Sequence, residues 1–81
     1  MKFRKKPIVI EAEQFMENRL PLPFSGRGNP CCFSLEKGWY IFTLEGNHNL
    51  IDKDWVIKGI KGEFYPCKPD IFEATYERVE G

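Results

Sequence analysis

Five residues that interrupt regular backbone, Pro21, Pro23, Gly26, Gly28 and Pro30, fall within ten positions of this chain. Proline has no N–H to give to a ladder, and glycine holds no preferred backbone region, so neither a helix nor a paired strand persists at that density. The stretch from Asn18 to Pro30 is therefore expected to be a long exposed loop between two structured parts. Loops of this length in compact domains are usually functional or mobile, which makes it a candidate contact surface. Because the whole chain has 81 residues, the parts on either side must share one modest core, and residues 1–81 are expected to form a single domain.

Before the loop, Arg4 to Phe15 reads as a strand. Its run Ile8-Val9-Ile10 is β-branched, and alternation puts Ile8, Ile10 and Ala12 on one face. Pro7 should then lie near the strand start or on an edge. After the loop, Trp39 to Glu45 is rich in aromatic and β-branched residues, with Gly46-Asn47 supplying a tight turn into His48 to Ile51. Asp52-Lys53-Asp54 turns the chain into a strand at Trp55 to Lys58, and Gly59 to Gly62 turns it again into Glu63 to Pro66. Pro69 to Tyr76 is expected to make one or two helical turns, with Ile71, Phe72 and Thr75 facing the sheet, before a last strand at Glu77 to Val79. The expected fold is mainly β with minor α: a small curved antiparallel sheet or partly open barrel with one short C-terminal helix.

Charge and cysteine use narrow the function. Twelve basic and twelve acidic side chains cancel, which removes the basic surplus that specific duplex-DNA binding requires. The balance hides an asymmetry, since residues 1–30 carry six basic and three acidic side chains and residues 31–81 carry six and nine. The basic cluster Lys2, Arg4, Lys5 and Lys6 can pair within the chain or meet an anionic partner. No apolar run approaches the ~20 residues that span a bilayer, and no secretory signal pattern opens the chain, so a cytoplasmic, membrane-free setting is expected. Three cysteines, two of them adjacent (Cys31 and Cys32, with Cys67 apart), suit neither a disulfide framework nor a C-x-x-C site. Adjacent backbone positions rarely turn two sulfurs onto one ion, so Cys31, Cys32, Cys67 and His48 are not expected to hold zinc. No cofactor is implied.

Nor does a catalytic constellation emerge. His48 has no second base or nucleophile in a recognisable arrangement, and a solvent-exposed hairpin histidine is the simpler reading. Asp52 and Asp54 can act as paired acids but sit where turns favour aspartate for local hydrogen bonding. Cys67, held between Pro66 and the Lys68-Pro69 pair, has no visible general base and reads as part of a stiff corner. The one grouping that points to a ligand is Trp55, Lys58, Lys61, Tyr65 and Lys68 around Gly59-Ile60-Lys61-Gly62. Cations beside flat rings stack bases and neutralise phosphate, so a small anionic, nucleotide-type ligand is the candidate. The competing readings are a plain β-turn and rings turned into the core.

Two segments carry a resemblance. Met1-Lys2-Phe3-Arg4-Lys5-Lys6-Pro7-Ile8-Val9-Ile10-Glu11-Ala12 and the run from Asp54 to Tyr76, with Lys61-Gly62-Glu63-Phe64-Tyr65-Pro66-Cys67-Lys68-Pro69-Asp70-Ile71-Phe72-Glu73 at its centre, are similar to a family of small uncharacterised bacteriophage and prophage proteins. Where that family commonly has Pro-Gly-Asp-Tyr this chain has Asp52-Lys53-Asp54-Trp55, and the middle of the chain follows no family pattern. The resemblance implies a phage origin and a host bacterial cytoplasm without implying an activity. Together with the missing constellation it leads to the expectation of a non-enzymatic accessory protein that binds a host protein, as an antagonist of host defence for example. That expectation carries with it either an exposed apolar patch or a homo-oligomer that buries one. A nucleotide-type binder and a structural virion component are the alternatives.

Overall fold

The computed structural model describes residues 1–3 and 8–79. It is mainly β, with strands β1 (Glu11–Gln14), β2 (Cys31–Ser34), β3 (Gly38–Thr43), β4 (Gly46–Asn49), β5 (Trp55–Lys58) and β6 (Phe64–Cys67), followed by helix α1 (Pro69–Thr75). The strands divide between two antiparallel three-stranded sheets, ordered β1-β5-β6 and β2-β3-β4, which do not close into a barrel. Among the described residues no helix is long and apolar enough to cross a membrane.

Side-chain alternation decides how the sheets meet. In β5, Val56 points to one face and Ile57 to the other, and both are fully buried, as befits the middle strand of its sheet. Val56 joins Ile41 of β3 in the core, so the inner faces of the two sheets look at each other. Phe15, just past β1, and Leu50, just past β4, complete this layer from the strand ends. The ring of Phe15 lies 5.7 Å from that of Trp39, a tilted contact between the sheets.

The remaining core side chain comes from the expected loop. Residues 18–30 form turns without a strand or helix, yet Pro23, Phe24 and Pro30 are buried, with Phe24 only 1% exposed. The segment is thus not simply an exposed loop: its turns carry a phenylalanine back between the sheets. Phe24 packs 5.2 Å from Phe64. Its backbone, at φ 56°, donates its N–H to Glu13 Oε1 at 3.1 Å, and Arg27 of the same loop pairs with Glu11 and Glu13. The turn closes tightly because Gly28, at φ 108°, passes close beneath the Phe64 ring, where a Cβ would come within 3.2 Å.

Several elements differ from expectation for local reasons. The first strand is confined to Glu11–Gln14; Ile8 and Val9 are exposed, and the Arg4 to Pro7 portion lies outside the described residues. β2 has no clear strand signal in the sequence, since Cys-Cys-Phe-Ser follows directly on the breakers. The hairpin reverses at Leu44-Glu45 rather than Gly46-Asn47, because Thr43 Oγ1 donates to the Gly46 carbonyl at 2.8 Å and accepts the Glu45 N–H at 3.1 Å. Gly46, at φ 115°, then begins β4. Residues 77–79 form no strand. In α1 only Phe72 turns to the sheet; Ile71 and Thr75 are exposed, so two of the three expected contacts are absent.

Burial separates the roles within the loop. Burying a phenylalanine contributes about 1.5–3 kcal/mol, whereas an exposed ion pair contributes about 0–1 kcal/mol. Phe24→Ala should therefore cost about 3–5 kcal/mol including the cavity it leaves. Arg27→Ala, which loses exposed pairs and a ring contact, should cost about 1 kcal/mol. Urea unfolding monitored by tryptophan fluorescence ranks the two, and a reversed order would show that the loop is held by its charges.

Candidate functional site

The five residues of the nucleotide-type reading are not brought together. In the β5–β6 register Trp55 faces Cys67 and Ile57 faces Tyr65, so Trp55 and Tyr65 share the outer face of their sheet. Lys58, opposite Phe64, leaves by the other face. Lys61 is exposed in the turn after β5, and Lys68 is the exposed residue that caps α1.

The two rings are already engaged. Trp55 stacks on Phe72 with centroids 4.1 Å apart and planes within 9°, and Phe72 in turn lies 5.1 Å from Tyr76. One face of the Trp55 ring is thus already stacked by the protein's own helix. Tyr65 is half-buried, with Tyr76 beside it. Burial first, then the neighbouring Tyr76 and the nearby Glu63 carboxylate, push its pKa up to about 12.

The other reactive candidates are occupied structurally. The three cysteines are unpaired and half-buried. Burial, with Cys32 and Glu13 adding negative charge, pushes the Cys31 thiol up to about 11. Burial, with Asp54 and Asp70 nearby, raises Cys67 as well. Both shifts oppose the thiolate, the form that attacks. Asp54 is only 3% exposed; its Oδ2 accepts the Ile51 N–H at 3.1 Å and so closes the turn into β5. Asp52 points elsewhere and accepts the Glu17 N–H at 2.9 Å. The two acids serve separate turns. Among the described residues no group of three His, Cys, Asp or Glu side chains stands close enough to hold a metal ion.

Two surfaces stand out by their chemistry. The first is the outer face of the β2-β3-β4 sheet. Register puts Cys32 and Ser34, Gly38, Tyr40 and Phe42, and Asn47 and Asn49 on it, with Ile41 pointing the other way into the core. None of these seven is charged, in a chain whose charged content is 30%. Tyr40 and Phe42 meet edge to face at 5.6 Å, and Phe42 is 60% exposed. The second is a cleft of about 380 Å³ between the β3–β4 hairpin and β6, with Leu44, Glu45 and His48 on one side and Glu63, Tyr65 and Pro66 on the other. The alternation of Trp39 to Thr43 contains the first surface. Nothing local in the sequence signals the second, because it forms between segments far apart in the chain.

Comparison with protein-family models, curated proteins and solved structures found no match.

The raised thiols have a measurable consequence. A group whose folded pKa is raised keeps its proton above the pH at which the unfolded group loses it. Cys31 and Cys67 should therefore react with a disulfide reagent more slowly at pH 8 in the folded protein than in urea, with the rate climbing as pH approaches 11 for Cys31. Equal folded and unfolded rates at pH 8 would contradict the assignment.

Proposed function

We propose that this chain is a small phage or prophage accessory protein that acts by binding and not by catalysis, and that it docks on a host protein through the outer face of the β2-β3-β4 sheet. The observation that carries the reading is the uncharged strip centred on Tyr40 and Phe42. Depletion of charge with tyrosine and phenylalanine at the centre is the compositional mark of an interface core, while mean apolarity is not. The asparagines on β4, Asn47 and Asn49, offer paired donors and acceptors at the border of the strip. The phage setting rests on the similarity of residues 1–12 and 54–76 described above.

The reading is supported on the other side by what the reactive residues are doing. Asp54 closes a turn, Cys31 and Cys67 are held as thiols, and burial holds Tyr65 as the neutral phenol. Against the nucleotide-type alternative stands the placement of Lys58, which leaves β5 on the face opposite Trp55 and Tyr65.

Phe42→Asp tests the face, because Phe42 lies outside the core and its replacement should leave stability within about 0.5 kcal/mol. The expected outcome is that a host protein crosslinked specifically to the wild type is lost from the variant, while Lys61→Ala keeps it. Retention of the partner by Phe42→Asp would contradict the proposal. So would a wild-type dimer that Phe42→Asp converts to monomer, since the strip would then be covered by a second copy.

A further inference from the structure

The cleft between the hairpin and β6 is a second site, independent of the sheet face, and we propose that it binds an alkylammonium or guanidinium group, that is, an organic cation on a short apolar stem. Three features of its walls point to that chemistry. The first is sign. Among the described residues no lysine or arginine lines the cleft, whereas Glu45 and Glu63 both do, with His48 beside them. The second is the wall itself. Leu44, Phe64, Tyr65 and Pro66 supply apolar and aromatic surface, which suits an alkyl stem and places ring faces near the charge.

The third feature is the seat of Glu63. Its carboxylate occupies the space a Cβ on Gly59 would take, so any side chain there would collide with it. Gly59 does not have the positive φ of Gly62 or Gly46, so its backbone does not call for glycine. The missing side chain makes room for the acid. Within that seat Glu63 Oε2 is buried and has no hydrogen-bond partner. A buried carboxylate oxygen without a donor is costly, and the cost is removed by an N–H group. Glu63 forms part of the wall of both this cleft and an adjoining groove of about 490 Å³ lined by Ile8, Val9 and Tyr76.

Two sources of the same cation are distinguishable: a free small amine and a lysine side chain presented by a peptide. The test is a titration followed by amide chemical shifts, using n-butylammonium, N-acetyl-lysine methylamide and, as the neutral control, n-butanol. The expected result is saturable shifts at Glu45, His48, Glu63 and Tyr65 with one or both cations and none with butanol. Stronger binding of the lysine amide assigns the site to a peptide, and stronger binding of butylammonium assigns it to a free amine. Glu63→Gln, nearly isosteric, should weaken binding by about tenfold or more through loss of the charge-assisted bond. Gly59→Ala should do the same by displacing the carboxylate, and Lys61→Ala should leave binding unchanged. Spectra of the variants away from the cleft report whether the fold is intact. Shifts that fail to saturate, that butanol reproduces, or that Glu63→Gln leaves at wild-type affinity would overturn the proposal. Loss of the host-protein contact through Phe42 would leave this site unaffected, so the two assignments fail separately.

Discussion

The burial of Phe24 between two sheets that share no strand is the contact on which the rest of the structure depends. Each three-stranded sheet is too small to bury a face alone, and their inner faces meet only through a handful of side chains, with Val56 and Ile41 at the centre. Phe24 enters this layer from a segment with no regular structure. The glycines and prolines that forbid a helix or strand there are what let the chain turn back so sharply. Glu13 then receives the Phe24 N–H, so one side chain of β1 fixes the backbone of the residue that fills the core. A loop that in sequence looks like free surface is in this way a structural insert.

Seen from that layer outward, the aromatic residues divide by task. Phe15, Phe24, Trp39 and Phe64 tie the sheets together, and Trp55, Phe72 and Tyr76 bind a seven-residue helix that is too short to persist without packing. Only Tyr40 and Phe42 lie on an open sheet face, and that face carries no charge. The titratable groups divide in the same way. Those with raised pKa values are shielded by burial, and the exposed Glu45 and half-buried Glu63 border a cleft. A chain of this size thus offers a face and a cleft, and the chemistry of each limits what will fit it.

Much of the fold is legible in the sequence, and the failures have physical causes. Trp55 to Lys58 announces itself as a strand because a β-branched pair sits between turns, and Pro69 sets the helix start by the φ it imposes. In sequence Gly46-Asn47 looks like the hairpin turn, while the Thr43 hydroxyl, whose bonds depend on the folded backbone, sets it two residues earlier at Leu44-Glu45. Phe24 was hidden because breakers around it mask a core residue that has no periodic neighbours. The grouping of Trp55, Lys58 and Tyr65 failed on parity: residues three apart on one strand leave by opposite faces. The cleft escaped altogether, since Gly59 and Glu63 show their purpose only when the carboxylate is seen lying on the glycine.

Native-state hydrogen exchange measures the central claim most directly. If Phe24 joins the two sheets into one cooperative unit, its amide, bonded to Glu13, should exchange with the same free energy and the same denaturant dependence as the amides of β5. Exchange of the Phe24 amide through a low-energy local opening, with the β5 amides still protected, would show that the sheets hold together without it.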